Sequence, residues 1–90
     1  MKFDWDSGKA KRNLAKHGVS FEEAATVFDD PLYLDFFDPE HSEEENRYLR
    51  VGRSNRRRIL VIAYTERDER ARLISARLAT NQERQAYEED

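Results

Sequence analysis

The sequence predicts an α+β fold: an antiparallel β-sheet meander with two N-terminal helices and one C-terminal helix, in the order β-α-α-β-β-β-β-α. Three observations predict it. Phe21, Ala24, Ala25 and Phe28 recur at i, i+3, i+4 and i+7, the stripe of a helix packed on one side. Beyond Pro31 the period shortens, and runs of branched and aromatic residues alternate with turn or charged segments, as in a meander. Ser20-Phe21-Glu22-Glu23 and Thr80-Asn81-Gln82-Glu83 are capping boxes that open helices before and after those runs.

Taken in order, Lys2 to Trp5 is a short strand. Asp6 or Ser7 caps a helix that runs to about Lys16, and Gly18 supplies its stop. The second helix begins at the first capping box, with Glu23 reaching back to the cap, and ends at Pro31. Four strands follow, over Leu32–Phe37, Arg47–Gly52, Arg58–Thr65 and Ala71–Leu78. Ile59 to Tyr64 is apolar on both faces, so it belongs at the centre of the sheet. In the last strand Ile74, Ala76 and Leu78 point to the helices, which leaves Ser75 and Arg77 on an uncovered face. The last helix runs toward Tyr87. Asp38 to Glu45 is an acidic, mobile loop.

Ninety residues are expected to form a single domain, 1–90, with a thin core. There is no cysteine, which suits a reducing cytoplasm and excludes thiolate metal sites. The longest apolar stretch is far short of the roughly 20 residues a membrane span requires. The net charge of −3 is uneven: residues 1–45 hold 5 basic and 12 acidic side chains, residues 46–90 hold 11 arginines and 7 acids. An uneven balance of this kind marks either a polyanion-binding surface or ordinary solvated faces.

Several groups can carry chemistry. Arg77, held by strand geometry, can grip two phosphate oxygens or pair with a carboxylate. The turn Arg53-Ser54-Asn55-Arg56-Arg57-Arg58 can hold a nucleic-acid backbone without reading sequence, dock an acidic partner segment, or keep a hairpin tip soluble. Lys9, Asn13 and Lys16 form a polar stripe on helix one. His17, at the helix end, can exchange a proton near neutral pH or simply cap the negative end of the dipole. Asp38, Glu40, His41 and Glu43 form a flexible acidic loop rather than a metal site, and no metal or cofactor is expected. A helix-turn-helix made of helix one, the Gly18 turn and helix two is rejected, because Glu22, Glu23, Asp29 and Asp30 on its second helix would repel DNA.

Read together, Trp5-Asp6, Lys9-Ala10, Asn13, Lys16-His17-Gly18-Val19-Ser20-Phe21-Glu22-Glu23-Ala24, Glu45, Arg47, Gly52, Thr65, Arg67, Ile74-Ser75-Ala76-Arg77, Ala79, Glu83-Arg84 and Tyr87 resemble the BrnT family of bacterial type II toxins. The resemblance runs nearly end to end. It implies a RelE-like fold and a cytoplasmic, metal-independent endoribonuclease that arrests translation. It also implies an RNA substrate and a BrnA-like ribbon-helix-helix antitoxin, with DNA met only through that antitoxin and no membrane. By position, His17, Arg67, Arg77 and Tyr87 become candidates for catalysis. Lys9, Lys16 and Arg47, with Arg56, Arg57 and Arg58 of the turn, become candidates for RNA binding. The competing class is an interaction module that binds an antitoxin, repressor or RNA without cleaving it.

Overall fold

The computed structural model describes residues 1–41 and 45–89, and local rules account for most of its elements. Asp6 caps α1 (Ser7–His17), its carboxylate accepting from the Lys9 amide at 2.8 Å. Gly18 closes the helix with φ of 69°, a conformation that costs a side-chain-bearing residue energy, and its amide bonds the Leu14 carbonyl. Ser20 caps α2 (Phe21–Thr26) by accepting from the Glu23 amide at 3.0 Å. Glu23 does not reach back to the cap, as the sequence suggests. Its carboxylate turns inward to Ser54 and Arg58 instead. A 3-10 turn, Val27–Asp29, carries the chain on to Asp30.

The strands are β1 (Lys2–Asp4), β2 (Leu34–Asp38), β3 (Arg47–Arg53), β4 (Ile59–Arg67) and β5 (Arg70–Leu78), and α3 spans Asn81–Glu89. They form one sheet in the order β1-β5-β4-β3-β2. The expectation of a purely antiparallel meander is corrected here. β2 to β5 pair antiparallel, but β1 lies parallel to β5, so the sheet is mixed. The parallel pairing is possible because the chain between β1 and the meander crosses one face as α1 and α2. The acidic loop expected over residues 38–45 falls partly outside the described residues; its start, Pro39–His41, is a 3-10 turn.

β4 is the middle strand, and Ile59 through Tyr64 are all buried. On one face Val19, Phe21, Ala24 and Val27 pack on Leu60, Ile62, Tyr64, Ala71, Leu73 and Ala76. On the other, Val51, Ile59, Val61 and Tyr87 form a smaller cluster under α3. The alternation expected for β5 fails at one point. Tyr64 faces Leu73 while Ala63 faces Ser75, so Ile74 is an extra residue in a bulge. Leu73 and Ala76 therefore both face the helices, and the face of Arg77 is partly covered by α3.

β1 pairs with only Arg70–Arg72, so the outer edge of β5 farther along needs other partners. Asn13, buried on α1, supplies them. Its amide nitrogen donates to the Ala76 carbonyl at 2.8 Å, and its oxygen accepts from the Ala76 amide at 3.0 Å. The side chain thus stands where a strand residue would, and it also bonds the Val19 carbonyl. Among the described residues no helix is long and apolar enough to cross a membrane.

Candidate nucleic-acid interface

The turn between β3 and β4 is tied to the rest of the fold through one buried carboxylate. Arg57 occupies the left-handed region, φ 63°, and its amide bonds the Ser54 carbonyl at 2.9 Å. The Ser54 hydroxyl donates to Glu23 at 2.6 Å, and the Arg58 guanidinium grips both Glu23 oxygens and the Gly18 carbonyl. The Arg58 bond holds the Glu23 carboxyl below the usual carboxylate range, against the opposing effect of burial. Arg56 lies 3.8 Å from the same carboxylate and is largely exposed. Of the four arginines expected to grip a polyanion, Arg58 is therefore an anchor between the turn and the α1–α2 corner. Arg57 is exposed and makes no ion pair among the described residues.

Beside this anchor lies a cleft of about 250 Å³ lined by Arg57, Arg58, Ile59, Leu78, Ala79 and Arg84. Among the described residues, three arginines and no carboxylate line it. α1 ends next to it, because Arg58 binds the carbonyl that follows His17. His17 is half-buried, while Lys9 and Lys16 are exposed. Lys9, Lys11, Arg12 and Lys16 have no acidic neighbour within α1, so the helix is cationic along its length. Asn13, expected in the same stripe, belongs to the packing against β5.

Arg77 stands just before Leu78 of that cleft. Glu83 of α3 takes its fork through two bonds, 2.7 and 2.9 Å, and Arg77 brings the Glu83 carboxyl down to about 2. The ion pair foreseen as one alternative for Arg77 is present, made by a helix residue and not across the strands. Glu83 also completes the second capping box, accepting from the Thr80 amide at 2.8 Å while Thr80 accepts from the Glu83 amide at 3.2 Å. Tyr87 is buried, and its hydroxyl donates to Asp30 at 2.5 Å. Burial and that bond push Tyr87 up to about 12.

Arg47 and Arg67 lie elsewhere. Arg47 opens β3 opposite Thr65, and Arg67 ends β4, ion-paired with Glu45. Arg67 pairs in register with Arg70, seven strand residues from Arg77. That is about 23 Å at roughly 3.3 Å per residue, too far for one phosphate. Arg67, Arg70 and Arg72 line a second cleft of about 370 Å³ together with Asp4, Glu45 and Asp68. The fold thus sets Arg57, Arg58 and Arg84 around one cleft at one end of the sheet, with His17 on the α1 side and Arg77 on the α3 side of that end, and leaves Arg47 and Arg67 at the other.

Sequence reasoning missed Glu23, Asp30, Arg50 and Arg84. Arg50 is buried, bonded to Asp35 at 2.8 Å twice and stacked over Tyr33 at 3.8 Å and Phe28 at 4.4 Å. An arginine in mid-strand between apolar neighbours was its only signal. Arg84 could have been found from its place directly after the capping box, one turn past Thr80. Among the described residues no group of three or more histidine, aspartate or glutamate side chains could hold a metal ion.

The fold and its relatives define a class: small ribonuclease toxins of type II toxin–antitoxin systems. The chain belongs to the BrnT family, since the family model for "Ribonuclease toxin, BrnT, of type II toxin-antitoxin system" matches residues 5–83. It is similar to the crystal structure of the Brucella abortus ribonuclease toxin BrnT, at 25% identity and a TM-score of 0.65, over 90% of this chain and 99% of that one. No curated protein matches the chain.

Proposed function

We propose that residues 1–90 act as one cytoplasmic domain that cleaves RNA without a metal ion, and that RNA enters at the arginine-turn end of the sheet. The observation that carries this is the cleft lined, among the described residues, by three arginines and no carboxylate, set beside the end of a cationic helix. Phosphates meeting Arg57 and Arg84, with Lys9 and Lys16 extending the track, supply sequence-independent affinity. His17, at the end of α1, is the histidine beside this cleft. A base, His17 or a lysine of α1, takes the 2′-hydroxyl proton, and Tyr87 or His17 returns one to the leaving 5′-oxygen, while Arg77, oriented by Glu83, meets charge building on the phosphate. Tyr87 holds α3 to Asp30 and releases its proton only if that bond opens. Arg47 and Arg67, at the far end, guide flanking RNA and do not touch the scissile phosphate. A BrnA-like ribbon-helix-helix antitoxin neutralises the toxin, and DNA is contacted only through it.

The test is cleavage of a labelled single-stranded RNA by the purified chain with and without chelator. The expected result is unchanged cleavage with chelator and a loss of roughly 100-fold or more in His17→Ala, with RNA binding retained. Activity that vanishes with chelator and returns with magnesium would overturn the metal-free reading. Full activity in His17→Ala would remove His17 from it.

A further inference from the structure

We propose that the cleft beside the arginine turn is a base pocket that takes one keto base, guanine or uracil, of single-stranded RNA. This rests on the reading of that end of the sheet as the RNA entrance. The cleft joins two unlike surfaces. Arg57, Arg58 and Arg84 line it together with Ile59, Leu78 and Ala79, an apolar group. Leu78, the last residue of β5, is 51% exposed. A bare phosphate suits the arginines and gains nothing from the leucine. A nucleotide suits both, because its phosphates meet the cations while the face of its base leaves water against an apolar side chain. At about 250 Å³ the cleft is smaller than the roughly 300 Å³ at which sites for drug-sized ligands begin, so it has room for a base and not for a paired helix.

One donor selects the base. Arg58 gives Nε to Glu23 at 2.9 Å, and Nη2 to Glu23 and to the Gly18 carbonyl. Its Nη1 takes no partner among the described residues, and 29% of the side chain is open to solvent. A buried carboxylate thus locks the guanidinium and leaves one nitrogen for a ligand. An arginine keeps its proton, so that nitrogen can only donate. Backbone oxygens of the lining are already engaged. The Arg58 carbonyl accepts from the Ser54 amide at 2.9 Å, that of Ile59 from the Ala79 amide at 2.9 Å, and that of Leu78 from Arg77 at 3.3 Å. Guanine offers the donor its O6 carbonyl and uracil its O4 carbonyl, whereas adenine and cytosine carry an amino group at the same place. An amino base would set donor against donor. Arg57, exposed on the turn, and Arg84, on α3, remain for the flanking phosphates.

The probe is a five-residue 2′-fluoro strand of cytidine, which has no 2′-hydroxyl to react, with guanosine, uridine, inosine, adenosine or an abasic residue at its centre. Each strand is titrated into the isotope-labelled full chain. Guanosine, uridine and inosine all carry the carbonyl. They should bind about three- to tenfold more tightly than adenosine or the all-cytidine strand, the effect of one hydrogen bond, and should move the Leu78 and Ala79 signals. Leu78→Asn should bring the keto strands down to the abasic one, and Leu78→Met should restore them. Arg58→Lys keeps the charge without the locked nitrogen and should bind keto and amino strands alike; the strand series on the parent chain decides even where this variant does not fold. Equal binding of the abasic and guanosine strands would make the cleft a phosphate track and overturn the proposal. So would equal binding of adenosine and guanosine, binding that leaves Leu78 unmoved, indifference to Leu78→Asn, or no binding of any strand. Cleavage of the matching 2′-hydroxyl strands is measured in parallel. Keto preference without cleavage would defeat the nuclease reading and leave the pocket standing; cleavage without the preference would do the reverse.

Discussion

Arg77 and Glu83 stand six positions apart, one on β5 and one in the first turn of α3, and each has two tasks. Glu83 caps α3 and orients Arg77; Arg77 stabilises the Glu83 anion and precedes Leu78, a residue of the cleft wall. The coupling has a sign. Glu83 falls from an ordinary value of 4.5 to about 2 in the folded chain, so the unfolded state binds its proton first as pH drops. The stability it contributes is complete above about pH 4.5 and is lost as pH falls toward 2. Melting curves from pH 7 to 2 should therefore show Glu83→Gln less stable at pH 7 but converging on the parent in acid. A constant gap across that range would mean the pair does not titrate with folding. Glu23, also held low by Arg58, acts on the same side of the scale, so the comparison must be variant against parent.

At the scale of elements, α1 is joined to the sheet less by apolar area than by the Asn13 amide. Leu14 on the same helix is 52% exposed, while Asn13 is buried and makes three hydrogen bonds to backbone. In Asn13→Ala the Ala76 amide and carbonyl are stripped of their partners, and each orphaned buried group costs roughly 1–3 kcal/mol. A destabilisation of about 3 kcal/mol is expected in denaturant melts, against about 1 kcal/mol for removal of the α3 cap in Thr80→Ala. Equal, small effects in both variants would show that the β5 edge finds other partners. Without the Asn13 bonds the helix end that carries His17 would also be freed, so cleavage should fall before the fold is lost.

Across the whole molecule the net charge of −3 conceals a division of labour. Arg50, Arg56, Arg58, Arg67, Arg72, Arg77 and Arg84 all make ion pairs within the chain, so counting arginines overstates the cationic surface. The Arg84 pair, at 4.0 Å between two half-exposed side chains, is the weakest of them. RNA affinity should therefore depend most on α1, Arg57 and Arg84. The Arg57→Ala/Arg84→Ala double variant should lower the salt dependence of binding by roughly 0.7 in log–log slope for each phosphate no longer neutralised, the single-strand value. Arg67→Ala should change it less. The opposite ranking would move the binding site to the other end of β5.

Helix caps, the stop at Gly18 and the buried run in β4 were legible because their causes lie within a few residues of each other. A cap is read across three positions and an amphipathic stripe across seven. The family resemblance was legible for the same reason, as short motifs in order. What only the tertiary structure decided depends on partners remote in sequence. Glu23 meets Arg58 at a separation of 35 residues, Asp30 meets Tyr87 at 57, and Asn13 meets Ala76 at 63. Nothing local distinguishes an arginine that will bind RNA from one that will bind a buried carboxylate, because the guanidinium suits both. The direction of β1 and the bulge at Ile74 are of the same kind. Each is set by how a strand meets its neighbour once α1 and α2 have crossed the sheet, and the alternation of residues in one strand carries no record of that meeting.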